Sequence, residues 1–157
     1  MTKKYFLNFF FVLIVFSIDR VSKFLVIKFA GINNQLNINV TQFFDINLIW
    51  NEGIAFGLFS FDQNIYYNLL TIFIFLIILV IIYLMFKSRG WEKFGYLLIV
   101  GGSLGNIFDR VYYSAVPDFI DIYFNNFHWF IFNVADIFIS LGVIILISLE
   151  FFKKRYE

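Results

Sequence analysis

The chain has 157 residues, 61% of them hydrophobic and 15% charged, with 12 Lys+Arg against 11 Asp+Glu for a net charge of +1. That apolar share, well above the ~45–50% of soluble domains, asks for a solvent other than water, and a near-neutral balance without a polybasic tract excludes a nucleic-acid partner. The absence of cysteine removes disulfides, thiol nucleophiles and Cys-held metals, and a lone histidine, His128, is a poor start for a zinc centre, so no metal and no cofactor are expected.

In chain order, the first apolar run is Tyr5 to Ile27, broken by Asp19, Arg20 and Lys23. Lys3 and Lys4 before it fit a signal peptide, but the run continues into Asp19-Arg20 without a small-residue cleavage site, so it is expected to remain as the first of four spans, 5–27. Within 29–56, an Asn-rich opening leads to the β-branched and aromatic stretch Val40 to Trp50 and the turn-forming Asn51-Glu52-Gly53, which predicts a small outer β element. Phe59, Phe61, Tyr66 and Tyr67 suit an interfacial aromatic belt. Between Asp62 and Lys87 lie 24 uncharged residues. At ~1.5 Å per residue, 65–86 crosses a ~30 Å hydrocarbon core. A third span, 94–111, stays apolar until Asp109 and Arg110; a second outer segment, Tyr112 to His128, holds Pro117, Asp118 and Asp121; a fourth span, 129–152, contains Asp136 and Glu150. Eight basic residues, Lys3, Lys4, Lys87, Arg89, Lys93, Lys153, Lys154 and Arg155, then fall on one side, which the positive-inside rule makes cytoplasmic together with both termini. The expectation is one polytopic all-α membrane domain over 1–157, with four transmembrane helices and an extracytoplasmic β-cradle between the first two.

Ionisable groups within a span are costly and face one another or a cavity. Helix rise puts Asp19 ~22 Å beyond Lys4, Asp109 ~24 Å beyond Lys93 and Asp136 ~10 Å below the outer boundary, so three spans bring charges to the same outer third. Asp19 and Lys23 share a face at i,i+4, Gly102, Asn106 and Arg110 recur at i+4, Asn133 and Asp136 stand at i,i+3, and Gly101, Gly102 and Gly105 permit close helix approach. The plainer reading of Asp19 with Lys23, and of Asp109 with Arg110 or its neighbours, is structural pairing between helices. Asp136 has no basic residue near it on its own span and must be neutralised or share a proton with another carboxylate, Asp118 or Asp121. A carboxylate pair holding one proton can activate water and polarise a carbonyl, which is peptide hydrolysis without metal or covalent intermediate. A serine nucleophile is a weaker reading: His128 lies at an interface, and Ser103 with Lys23 is the one conceivable dyad.

Five blocks at these residues carry a resemblance: Asp19-Arg20-Val21-Ser22-Lys23, Asn51 to Gly57, Gly101 to Arg110, Val116-Pro117-Asp118-Phe119 and Phe132-Asn133-Val134-Ala135-Asp136. In this order on four spans, the chain resembles the bacterial lipoprotein signal peptidases, or signal peptidase II. The resemblance implies an intramembrane aspartic endopeptidase of the bacterial inner membrane, with its site near the outer face, that cuts diacylglyceryl-modified prolipoproteins before the lipidated cysteine. It implies catalytic acids Asp118 and Asp136, so Asp121 becomes a satisfied loop carboxylate. Asn51, Gly102, Asn106, Arg110, Asn133 and Ala135 would line or support the site, with Asp19 and Lys23 in the same polar set. Implied partners are lipid-modified prolipoproteins, membrane phospholipids and globomycin-like inhibitors, with the chain as a monomer. Two positions depart from the family pattern: Arg20 replaces a usual Gln and adds a cation expected near the lipid headgroups, and Ile54 replaces a small residue. The rival readings are a non-enzymatic four-helix assembly protein, in which Asp136 would have a cationic or amide partner and no groove would open to lipid, and a small ion-coupled transporter.

Overall fold

The computed structural model describes residues 2–33, 37–53, 64–125 and 127–154. Its order is α1 (Thr2–Asn33), β1 (Asn37–Thr41), β2 (Phe44–Asn51), α2 (Asn64–Lys87), α3 (Gly90–Tyr113), β3 (Val116–Phe124), β4 (Phe127–Phe132) and α4 (Val134–Lys154). Ile54 and three members of the expected aromatic belt, Phe59, Phe61 and Tyr66, lie outside the residues or side chains described, while the fourth, Tyr67, is buried within the protein rather than set at an interface.

Helix α3 is the hub, packing on α1, α2 and α4, and small residues allow it. A methyl on Gly102 would meet the Ala135 carbonyl at 2.6 Å, one on Gly101 the Val15 Cβ at 2.7 Å and one on Gly142 of α4 the Gly95 carbonyl at 2.6 Å. Where lipid already solvates the outer faces, backbone approach and van der Waals contact hold helices together. α2 and α4 each contain an apolar stretch long enough to cross a membrane, Tyr67–Lys87 and Val134–Phe152, with only 11% of each window buried. Burial that slight, with Phe73, Leu76, Val80, Tyr83 and Phe86 all exposed, fits helices solvated by hydrocarbon. In α1 and α3 the charges Asp19, Lys23, Lys93, Asp109 and Arg110 are buried.

The four strands form one antiparallel sheet in the order β1-β2-β3-β4. β2 and β3, separated in sequence by two helices, pair with Asn51 opposite Val116, Trp50 opposite Pro117 and Ile49 opposite Asp118. Pro117 is tolerated because the β3–β4 ladder starts only at Ile120, leaving no β4 partner in need of its missing N–H. The sheet rests on the C-terminal half of α1 through Val26 and Phe119, flanked by Ala30, Ile46, Leu48, Ile120 and Val134. A second apolar cluster, Met85, Leu97 and Val100 with Phe11, Val12 and Ile82, joins the other ends of α1, α2 and α3.

Three boundaries differ from the sequence expectation. α1 continues to Asn33, so the first strands occupy only 37–51. The segment 112–128, expected only as an outer connection, contributes strand β3. α4 begins at Val134 rather than Trp129, since Phe127–Phe132 pairs with β3 and Asn133 ends the strand and starts the helix.

Candidate active site

At the start of α4, the Asn133 side-chain oxygen accepts the Asp136 N–H at 3.2 Å and the Asp136 Oδ2 accepts the Asn133 N–H at 3.1 Å. This is the reciprocal geometry of a capping box, with Asn and Asp in place of Ser and Glu, and it pins Asp136 to the helix entrance. The Ala135 N–H, another donor left over at a helix start, reaches Asp19 Oδ1 on α1 at 2.9 Å. Capping thus fixes one carboxylate in space and ties it to the neighbouring helix.

Three asparagines complete the surroundings, each oriented by a group that can only donate. The Gly53 N–H takes the Asn51 oxygen at 2.8 Å, so Asn51 Nδ2 points to Asp118 Oδ2 at 2.9 Å. The Asp136 N–H takes the Asn133 oxygen, so Asn133 Nδ2 points to Asp118 Oδ1 at 2.6 Å. The Lys23 ammonium takes the Asn106 oxygen at 2.8 Å, so Asn106 Nδ2 points to Asp136 Oδ1 at 2.9 Å. Every oxygen of Asp118 and Asp136 therefore faces an N–H, and among the described residues neither acid has a cationic partner in ion-pair range. Asn133 bonds both acids.

Asp118 and Asp136 line one cavity of about 230 Å³ together with Asn51, Asn106, Arg110 and Asn133. Ile74 of α2, Ser103 of α3, Val116 of β3 and Ile139 and Ser140 of α4 complete its walls, and their spacing gave no signal in the sequence that they would do so. α2 and α4 each pack on α3, and the cavity occupies the cleft above it. Burial raises the Asp118 carboxyl to about 6, reinforced by the charge of Asp136 and opposed by the hydrogen bonds from Asn51 and Asn133. The Arg110 guanidinium holds the Gly53 carbonyl at 2.8 Å, while its buried Nε has no hydrogen-bond partner among the described residues.

Beside this cavity lies a second acid pair. Lys23 Nζ contacts Asp109 Oδ2 at 2.6 Å and Asp19 Oδ1 at 3.0 Å; Arg20 contacts both acids, with its NH2 at 2.7 Å from each and its NH1 on Asp109 Oδ1. Asp19, Asp109 and Lys23 are 0–1% exposed. The expected pairing of Asp109 with Arg110 is replaced by Arg20 and Lys23, and Arg110 turns to the cavity instead. Arg20, expected toward the headgroups, turns inward, its guanidinium carbon 4.9 Å from the Phe108 ring centre and 5.8 Å from that of Phe16. Lys23 is committed to two carboxylates and an amide and cannot serve Ser103 as a base. Asp121 stands three residues from Asp118 on a pleated strand, hence on the opposite face, where His128 Nδ1 lies 3.0 Å from its Oδ2. Gly102 and Ala135 contribute contact between helices: Ala135 is fully buried, and its carbonyl lies against Gly102.

In fold the chain is similar to a solved bacterial membrane enzyme, with a TM-score of 0.75 at 24% identity over 96% of this chain and 90% of that one. The family model for signal peptidase (SPase) II matches residues 11–152, and the chain belongs to that family. It is 49% identical to a lipoprotein signal peptidase of Pelagibacter ubique over 99% of this chain and 95% of the relative, and 42% identical to one of Francisella tularensis subsp. novicida over 76% of each.

Proposed function

We propose that the protein is an intramembrane aspartic endopeptidase that removes the signal peptide from diacylglyceryl-modified prolipoproteins, cutting immediately before the lipidated cysteine, with Asp118 and Asp136 as the acid pair. Cleavage of lipoprotein signal peptides follows from membership of the family, and the assembly-protein and transporter readings are not favoured. The observation that carries the acid pair is the shared cavity, in which two carboxylates are held by N–H donors alone. The rival reading required an amide partner for Asp136, and Asn106 is one. It also required that no groove open to lipid, whereas Asp136 lines both the cavity and an apolar groove between β4 and α4.

In this reading all four helices span the membrane, with both termini cytoplasmic and the sheet cradling the outer face. One carboxyl of the pair carries a proton. The ionised partner takes a proton from a water between them while the protonated one donates to the scissile carbonyl oxygen; the water oxygen bonds to the carbonyl carbon. Collapse of the tetrahedral species breaks the C–N bond as the leaving nitrogen takes a proton from the pair. Asn51, Asn106 and Asn133 keep both acids in position through the cycle, and Arg110 lines the same cavity as a cation for a substrate carbonyl. No metal or cofactor enters this chemistry.

The test is cleavage of a diacylglyceryl prolipoprotein by purified, correctly inserted Asp118→Asn and Asp136→Asn proteins beside Asp121→Asn. Each of the first two is expected to lose ~10²–10⁴-fold or more in turnover, with Asp121→Asn within a few-fold of the parent. Substantial turnover by either of the first two overturns the acid pair.

A further inference from the structure

The catalytic cavity has a neighbour. A groove of about 340 Å³ between β4 and α4 shares Asp136 and Ser140 with the cavity, and its other walls are Trp129, Phe130, Phe132, Ile137 and Leu141. Helix phase explains the sharing. Asp136 and Ser140 form an i,i+4 row that faces both spaces; Ile137 and Leu141 form the next row, turned by about 100°, and line only the groove. Ile137 is 38% and Leu141 47% exposed, and one further turn along, Ile144 is 58% exposed on the same side. From Asp136 to Ile144 the apolar path runs ~12 Å along the helix, away from the sheet.

We propose that this groove is a lipid subsite, holding an acyl chain of the diacylglyceryl group on the substrate residue that follows the cut. The inference rests on the peptidase reading above and adds where the lipid lies. Three observations choose the occupant. The groove begins at Asp136, so what enters it is covalently close to the scissile bond. Beyond Asp136 and Ser140 its lining is aromatic and aliphatic, so an extended peptide would leave backbone N–H and C=O groups unmet there. A helix ~10–12 Å across is too broad for a space of this volume, whereas an alkyl chain needs only width and apolar walls. A second apolar groove, about 430 Å³ between α1 and α3 and lined by Phe9, Leu13, Phe16 and Phe108 among others, shares no residue with the cavity. The ion cluster of Asp19, Arg20, Lys23 and Asp109 bridges the same two helices, so a chain attached at the scissile bond has no apolar path to it.

The experiment compares diacylglyceryl prolipoprotein peptides carrying two sixteen-carbon or two four-carbon acyl chains. Leu141→Trp, which fills the groove, is expected to raise KM for the long-chain substrate ~10-fold while leaving kcat, and KM for the short-chain substrate, within ~2-fold. Leu13→Trp, in the α1–α3 groove, should leave both substrates unchanged. Equal losses on both chain lengths, or no loss on either, overturn the lipid subsite. In parallel, a long-chain substrate with a photoreactive diazirine in its acyl chain, bound to Asp136→Asn protein with the native groove, should crosslink within 137–144; crosslinks confined to α1 or α2 overturn the proposal even if Leu141→Trp does not fold. Failure of the parent protein to cleave either substrate would strike the peptidase reading itself, a separate outcome.

Discussion

Two pairs of aspartates lie side by side in this protein, and their partners differ. Asp19 and Asp109 are met by Lys23 and Arg20, two charges against two, in a knot with almost no exposure. Among the described residues, Asp118 and Asp136 are met only by amide N–H groups and face a cavity. A buried carboxylate matched by cations serves as a tie between helices; one held by neutral dipoles has no countercharge and is left to face the cavity. The pairs also touch through two strands of bonding, Lys23 to Asn106 to Asp136 and Asp19 to the Ala135 N–H. The tied pair therefore aims part of the other.

Breaking the neutralised pair has the largest expected effect on stability. Lys23→Met leaves Asp19 and Asp109 sharing only Arg20, and loss of one partner from a buried ion cluster costs about 3–5 kcal/mol. Thermal unfolding in detergent should show it as a large fall in midpoint, and an unchanged midpoint would mean that the cluster is not holding α1 to α3.

Asp118 gives the second pair a pH dependence that can be measured. Asp118 has its carboxyl raised to about 6 in the folded protein, against ~3.9 in an unfolded chain. Between those values the folded state binds more protons than the unfolded state, so this group's contribution is most favourable below ~4 and declines as pH rises to about 6. Replacing Asp118 with Asn removes the decline, although the new amide confronts the donors of Asn51 or Asn133. Relative to the parent, Asp118→Asn should therefore gain roughly 2 kcal/mol between pH 4 and pH 7. Unfolding midpoints of both proteins across that range check it, and a pH-independent difference breaks the distinction between the two pairs.

Much of the tie was legible in the sequence: the i,i+4 spacing of Asp19 and Lys23 and the small residues of α3 are local patterns. Its fourth member was not, because helix phase does not say that Arg20, one residue on, reaches back to Asp109 on another helix. The acid pair was harder to read. Phe127–Phe132 is a short apolar run, which periodicity cannot divide between strand and buried helix, so it merged with the helix that follows. Had β3 been recognised as a strand, pleat parity would have put Asp118 and Asp121 on opposite faces. The approach of Asn51 to Asp118 depends on pairing between β2 and β3 across two helices, and no local rule contains it. Asn133-Val134-Ala135-Asp136 was visible as an i,i+3 pair, but its capping role appears only with the helix boundary in place.

The link between the pairs can be cut at its middle. Asn106→Leu removes the donor to Asp136 Oδ1 while leaving Lys23 on its two carboxylates, so turnover should fall ~10–100-fold through lost orientation of the acid, with stability changed by about 1–2 kcal/mol. If Lys23 acts on the acid through Asn106, adding Lys23→Met to Asn106→Leu should lower stability further but cost little more turnover per folded molecule. Fully additive losses in turnover would mean that the two pairs communicate by another route.

The smallest expected effect belongs to a third acid that resembles neither pair. Asp121 is buried on the far face of β3, but its partner His128 is more than half exposed on the edge strand β4, stacked on Tyr123 at 5.0 Å. Solvent reaches the imidazole, so the interaction is screened, and it lies across the sheet from the cavity. His128→Ala should therefore cost roughly 1 kcal/mol of stability, chiefly by leaving the Asp121 carboxylate one hydrogen-bond partner short, and should leave turnover within ~2-fold. Paired measurement of unfolding midpoint and kcat on this variant is informative because the sheet also carries Asp118. A loss of turnover far larger than the loss of stability would mean that the two faces of β3 are coupled, and that partner chemistry alone does not separate the structural acids from the reactive ones.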